Sequence, residues 1–349
     1  MAKRGESGLS RLVAINKPIG MSSHDVVNRC RKIFGERRVG HTGTLDPLAS
    51  GVLVVCVGPA TRLDAFMVGH GKRYRMGVRF GVGTETDDAE GSVIKECGIP
   101  SEVFEEEYAR SYVAKMVGKG TQMPPAYSAI KVNGRKSYDA ARKGTIIDLE
   151  PREFEIFDAE LLSVNELIDD AGRQVAEWEV EMSVSKGTYM RAIARDLGRD
   201  LGTAAHVGYL ERTISGTVAL EDCVTLEMLE QSPDCGTIDP LRALGMRYAF
   251  VRDLADKVAN GSPLHCEDIA LNEPISQDVF DPCCCTTSVF ASTTPPEDGE
   301  MVGIIAQNRL KALYEYHGSE HRYRPRCVFS IGVEPVSYTH LRAHETLRH

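Results

Sequence analysis

Two stretches of the chain alternate apolar and polar positions with the period of two that a pleated strand imposes. From Lys72 to Phe80, Tyr74, Met76, Val78 and Phe80 share one face, while Arg73, Arg75 and Arg79 share the other. From Ala176 to Ser185, Ala176, Trp178, Val180, Met182 and Val184 alternate with Glu177, Glu179, Glu181, Ser183 and Ser185. A third run, Val52 to Val57, is apolar throughout and predicts a strand covered on both faces. Leu12 to Asn16 predicts a short strand ending in the turn Lys17-Pro18-Ile19-Gly20. Helical spacing follows at Val26, Val27, Cys30, Ile33 and Phe34, opened by the capping pair Ser22 and Asp25 and stopped by Gly35. A second helix starts near Tyr189, with Met190, Ile193, Ala194, Leu197 and Leu201 as its stripe. It follows the Lys186-Gly187-Thr188 turn, and a Gly-rich loop, Val39 to Gly51, precedes the all-apolar strand.

A chain of 349 residues, 42% hydrophobic and 26% charged, falls in the ordinary globular range and suggests two domains at about 150 residues each. No internal repeat, signal-type apolar core or membrane-length apolar run is present. The ten cysteines are scattered, apart from Cys283-Cys284-Cys285, with no C-x-x-C pair, which points to reduced thiols and a cytoplasmic setting. The net charge of −9 argues against a polyanionic partner until its distribution is considered. Residues 1–80 carry 14 Lys/Arg against 5 Asp/Glu, whereas residues 221–300 carry 4 against 16. A basic N-terminal block and a separate acidic C-terminal region follow from that asymmetry. Gln122 to Pro151 mixes Lys131, Arg135, Lys136, Arg142 and Lys143 with Tyr127 and Tyr138, a composition suited to phosphates and unpaired bases.

Common catalytic devices are missing from the sequence. Gly69-His70-Gly71-Lys72 is followed by Arg73, so there is no phosphate-binding P-loop, and Gly81-Val82-Gly83 lacks the third glycine of a dinucleotide fingerprint. No G-x-S-x-G or H-E-x-x-H occurs, so no cofactor or metal is called for. What stands out is one acid, Asp46, in the stretch His41-Thr42-Gly43-Thr44-Leu45-Asp46-Pro47-Leu48-Ala49-Ser50-Gly51, with Pro47 disfavouring helix at the residue before it. On spacing alone, an Asp-Pro turn serves as well as a presented carboxylate.

That stretch resembles the catalytic motif of the TruB family of tRNA pseudouridine synthases. Lys17-Pro18-Ile19-Gly20-Met21-Ser22-Ser23, Lys72-Arg73-Tyr74, Thr86-Asp87-Asp88-Ala89-Glu90-Gly91 and Pro125-Ala126-Tyr127-Ser128-Ala129 are similar to further family motifs. So are Ser185-Lys186-Gly187-Thr188-Tyr189-Met190-Arg191 and His206-Val207-Gly208-Tyr209-Leu210-Glu211-Arg212, all in family order across residues 11–230. The resemblance implies an α/β (α+β) pseudouridine synthase fold with a mixed, largely antiparallel central sheet flanked by helices. It assigns residues 1–240 to the catalytic domain, with an RNA-binding arm at about 122–151. Residues 241–334 then form a small β domain of PUA type, and 335–349 read as a non-native tail.

The same resemblance implies cleavage of the C1′–N1 bond of uridine 55 in tRNA, rotation of the uracil and rejoining through C5, without a cofactor. Asp46 would be the catalytic carboxylate, as nucleophile at C1′ or base at C2′, and both roles require it ionised. Arg191 is the matching cation, and Tyr74 the ring that stacks on the base and accepts the C5 proton. Asp88 would bond the flipped base or a neighbour, and Leu210 would wall the pocket. His41 would occupy or flank the space left by the extruded nucleotide. Arg73, with Arg37, Arg38, Lys72, Arg75 and Arg79, would hold phosphates, while Lys17 and Tyr189 support the site. The expected partner is tRNA, bound by a monomer. A non-catalytic tRNA chaperone and a guide-RNA-dependent enzyme are the competing readings.

Overall fold

Two sheets, one large and one small, are laid down in turn along the chain. The structure, a computed structural model, describes residues 7–67, 71–127, 149–169, 171–275 and 291–334, with the backbone of 131–132 and 135–136. The elements begin with β1 (Arg11–Lys17), α1 (Ser23–Phe34), β2 (Val39–His41), β3 (Ala49–Val57), α2 (Asp64–Met67) and β4 (Lys72–Phe80). An antiparallel pair, β5 (Val82–Thr84) and β6 (Val93–Glu96), leads to α3 (Glu106–Lys115) and β7 (Gly118–Gln122). After the short pair β8 (Lys131–Val132) and β9 (Arg135–Lys136) come β10 (Arg152–Ile168), β11 (Gln174–Val184), α4 (Met190–Asp200) and β12 (Ala205–Ser215). Then follow β13 (Val218–Ala219), α5 (Leu226–Gln231), β14 (Thr237–Ile238) and α6 (Pro240–Leu244).

The large sheet runs β14-β1-β3-β12-β4-β11-β10-β7, with β2 on β3 and β13 on β12. Its pairings are antiparallel except β3 with β12. The smaller sheet takes β15 (Tyr248–Phe250), β16 (Leu264–His265), β17 (Leu271–Asn272), β18 (Met301–Ala306), β19 (Arg309–His317) and β20 (Arg322–Val333). The architecture is the mixed α/β arrangement expected. Among the described residues no helix is long and apolar enough to cross a membrane.

The uninterrupted apolar character of β3 has a direct cause. Leu53, Val55 and Val57 face a cluster shared with Val13, Ile15, α1 and α4, while Val52, Val54 and Cys56 face a second cluster with Leu12 and Ala14. The second cluster also contains Leu310, Leu313, Cys327, Phe329 and Val333, so the back of the large sheet is covered by the smaller one. Polar links reinforce the junction: Arg11, buried, pairs with Asp234 at 2.8 Å and Glu334 at 2.9 Å, and Arg62 donates to the Val328 carbonyl at 2.6 Å. By contrast β4 and β11 pack one face only. Trp178 is fully buried there, edge-on to Phe80 at 4.9 Å, and donates to the Val103 carbonyl at 2.7 Å.

The strands and helices read from sequence follow their pattern, including the capping box at Ser22 and the left-handed Gly35 that ends α1. The loop read as Val39 to Gly51 is shorter than expected. Val39–His41 pair with Val55–Val57 as β2, and Ala49–Gly51 join β3 because Leu210–Arg212 run parallel beside them. Those partners lie far away in sequence, so local residue pattern does not reveal them. The basic arm is described only at its ends, and the side chains of Lys131, Arg135, Lys136, Tyr138, Arg142 and Lys143 lie outside the described residues, as do Cys283–Cys285 and the tail from 335.

Gly51 closes the catalytic-motif stretch in a left-handed conformation (φ 99°), and a Cβ there would lie 2.2 Å from the Arg212 carbonyl oxygen. Both features exclude a side chain. Gly51→Ala is therefore expected to destabilise the fold by about 2–4 kcal/mol. A urea midpoint matching the wild type would contradict this.

Candidate active site

Residues 42–48 form a loop fixed by three buried anchors. Arg212, only 1% exposed, donates to the carbonyls of Val52 (2.7 Å), Gly43 (3.1 Å) and Thr44 (3.4 Å). Ser23, at the start of α1, takes the Leu45 N–H at 2.8 Å and returns its hydroxyl to the Leu45 carbonyl at 3.0 Å. Lys17, fully buried, donates to the carbonyls of Met21 (2.6 Å), Pro18 (2.8 Å) and Pro47 (3.4 Å). The loop backbone thus has named acceptors and donors on either side of Asp46, which is what holding a carboxylate in one place demands.

The Asp46 side chain keeps 36% of its surface open and meets Arg191 at 2.9 Å, whose own side chain is 6% exposed. Arg191 sits in the first turn of α4, behind the N-cap residue Tyr189, whose N–H is received by the buried Gln122 at 3.2 Å. The guanidinium also donates to the carbonyls of Thr86 (2.9 Å) and Tyr127 (3.0 Å) and faces Asp88 at 3.4 Å. Asp88, 3% exposed, is itself fixed. Its carboxylate accepts from the Glu90 N–H at 3.1 Å and from the Thr86 hydroxyl, while its carbonyl accepts from Thr84 at 2.6 Å. Its carboxylate is thus held within the loop and faces Arg191.

Tyr74 lies in the middle of the sheet, paired with Met182 on one side and with Arg212 on the other. Its ring, 7% exposed, belongs to the same apolar cluster as Leu45, Leu48, Met190 and Leu210, the neighbours of Asp46 and Arg191. Leu210 is paired with Met76 and Ala49, which puts it between Tyr74's strand and the loop's exit. Asp46, Arg191, Asp88 and Lys17 are thus linked through direct contacts with one another or with the loop, and Tyr74 and Leu210 lie on the strands that flank it. His41 flanks it on β2, paired with Val55. Its Nδ1 is buried without a hydrogen-bond partner among the described residues, and burial, then Arg212, hold the ring below its ordinary pKa.

Arg73 is not brought in. It projects from the opposite face of β4, where its Nε donates to Ser183 at 2.9 Å and its Nη1 lies 3.8 Å from Glu181. Arg75 and Arg79 are matched likewise, by Glu179 (4.0 Å) with Glu181 (3.8 Å), and by Glu177 (2.7 Å). The cationic face expected to hold phosphates is thus neutralised across the β4–β11 ladder, because the two alternations lie in register and oppose acid to base. Lys72, one residue away, faces the other side: its Cε lies 3.5 Å from where a Gly43 Cβ would stand. Sequence reasoning assigned no role to Arg212, Ser23 or Gln122. The usable signal for Arg212 was a cation close to the buried positions of a strand motif.

Burial lowers the pKa of Lys17 to about 8 against an ordinary 10.5, with Asp46 opposing the shift, and burial lowers Lys72 to about 8 as well. The unfolded chain then binds the Lys17 proton more tightly than the folded chain between pH 8 and 10.5, so this group adds stability as pH rises through that window. The wild type is accordingly expected to gain on Lys17→Met by on the order of 1 kcal/mol per pH unit there. Urea midpoints of both proteins across the window test this, and a constant difference between them would contradict it.

Comparisons with known proteins identify the family. Residues 31–190 match the TruB family pseudouridylate synthase (N terminal domain) model, and residues 191–237 match that of the tRNA pseudouridylate synthase B C-terminal domain. The chain is 34% identical over 330 residues to the tRNA pseudouridine synthase B of Lactiplantibacillus plantarum, covering 93% of this chain and 99% of that protein. It is 42% identical over 227 residues to the protein of the same name from Acaryochloris marina, covering 65% and 75%. Among solved structures, the fold is shared with a Cbf5-Nop10-Gar1 complex (TM-score 0.62, 22% identity, 93% of this chain and 86% of that one). With a relative matched almost end to end and two family models that adjoin between Met190 and Arg191, the chain belongs to the TruB family of pseudouridylate synthases.

Proposed function

We propose that this protein is a stand-alone tRNA pseudouridine synthase acting on uridine 55, with Asp46 as its catalytic carboxylate. The observation that carries the reading is the Asp46–Arg191 pair at 2.9 Å, in which the cation is buried and the carboxylate still opens outward. Such a pair keeps an anion oriented without sealing it off from a sugar. As nucleophile, Asp46 takes C1′ while the C1′–N1 bond breaks; as base, it removes the C2′ proton to give a glycal. The freed uracil turns, and C5 then either displaces the Asp46 carboxylate from C1′ or adds to C1′ of the glycal as the proton returns from Asp46 to C2′; in both routes the C5 proton leaves as N1 gains one. Atoms and electrons balance within the substrate, so the isomerisation itself calls for no redox partner.

Tyr74 is suited to stack on the rotated base, and its phenol to accept the C5 proton. Leu210 walls the apolar side, and Lys17 and Tyr189 fix the loop and the helix that carry Asp46 and Arg191. His41, with an unsatisfied ring nitrogen beside the loop, is suited to meet the RNA where the nucleotide leaves its stack. Extruding that nucleotide costs a few kcal/mol, which contacts with the folded tRNA must offset. Phosphate contact falls to Arg37 and Arg38, both exposed, in place of the neutralised β4 arginines.

Release of tritium from C5-labelled uridine in unmodified tRNA, with no guide RNA and no additive, is the expected activity. Asp46→Asn should lower it more than about a thousandfold while tRNA binding persists. Undiminished release by that variant would refute the assignment. A wild type that binds tRNA without releasing tritium would favour the chaperone reading, and release only with an added guide RNA the guide-dependent one.

A further inference from the structure

Arg191 has a counterpart one helical turn further along α4. Arg195, four residues on and so about 6 Å along the axis, repeats its pattern of contacts. Arg191 joins an aspartate of the 86–88 turn (Asp88, 3.4 Å) to the carbonyl of Tyr127 (3.0 Å). Arg195 joins the adjacent aspartate (Asp87, 3.1 Å) to the carbonyl of Met123 (2.8 Å), and its Nε is held by Asp196 at 3.0 Å. Two arginines four apart thus grip two carbonyls four apart, through two consecutive carboxylates.

Consecutive side chains of an extended strand point to opposite sides, so Asp87 and Asp88 could not both face α4 from such a backbone. Asp87 adopts the left-handed conformation (φ 60°), which a residue other than glycine enters only at an energetic cost. That turn is fixed by Asp87 N–H donating to the Thr84 carbonyl at 3.2 Å and by its carbonyl accepting from Val207 at 3.0 Å. Burial raises the Asp87 carboxyl above its ordinary value, and Arg195, then Arg191, oppose this. Between the two gripped carbonyls, Pro124 and Pro125 are buried and stiffen the segment.

We propose that Arg195 and Asp87 are positioning residues for the reaction: their ion pair seats Met123–Tyr127 against α4, so that the Tyr127 carbonyl orients the Arg191 guanidinium toward Asp46. The link is direct, because Nη2 of Arg191 serves both the Tyr127 carbonyl and the Asp46 carboxylate, at 3.0 and 2.9 Å. If the segment shifts, the same nitrogen loses the acceptor that fixes its direction. This inference rests on the proposed role of Asp46.

Single-turnover tritium release and tRNA Kd separate the possibilities. Arg195→Gln and Asp87→Asn should each slow the single-turnover rate about tenfold, as expected for misplaced reacting groups, with Kd changed less than about threefold. The double variant should be no slower than the slower single one, because both remove the same link. Arg195→Lys, which keeps the charge but cannot span Asp87 and Met123 together, should fall in between, and it serves if the glutamine variant does not fold. A single-turnover rate equal to the wild type in Arg195→Lys or Arg195→Gln, or a loss confined to Kd, overturns the inference. Asp46→Asn run alongside keeps the two readings apart: an active Asp46→Asn removes the site assignment, whereas an inactive one beside unaffected Arg195 variants removes only the positioning role.

Discussion

A guanidinium taken out of water costs several kcal/mol unless its donors are met, and Arg191 is the buried cation around which the candidate site is organised. Its nitrogens find Asp46, Asp88 and the carbonyls of Thr86 and Tyr127, supplied by three separate chain segments. The same constraint explains the fixed carboxylate of Asp88. Its charge is needed for Arg191, and it is therefore a brace for the site.

The sheet provides the frame on which that cation acts. β3 and β12, joined in parallel, deliver the loop's exit and Arg212 side by side, and Arg212 reaches back to hold the loop's entry at Gly43 and Thr44. β4 then sets Tyr74 against Arg212 in register. Because the reverse face of β1 and β3 is covered by the smaller sheet, the strands that carry the candidate site are packed on both sides.

Charge placement illustrates how register changes the meaning of a pattern. Arg73, Arg75 and Arg79 form a cationic stripe when β4 is considered alone, and Glu177, Glu179 and Glu181 form an anionic stripe on β11. Paired as they are, each stripe neutralises the other on the solvent face. Lys72 carries its charge to the loop side instead, with burial depressing its pKa. The basic excess of the N-terminal quarter is consequently smaller at the surface than its residue count suggests.

Local periodicity determined where β1, β3, β4, β11 and the two chief helices lie, because alternation and helical spacing are properties of neighbouring residues. The capping pair Ser22 and Asp25, the stop at Gly35 and the one-sided faces of β4 and β11 were all legible for that reason, and the family motifs picked out Asp46, Tyr74 and Arg191. Which residues hold those three in place was decided by tertiary structure alone. Arg212 and Ser23 reach loop carbonyls and amides distant in the chain, Asp88 turns inward to a cation 103 positions later, and Arg73 turns away toward a strand it meets only after folding. Hydrogen bonds and ion pairs depend on distance in space, and a linear pattern carries that information only for residues a few positions apart.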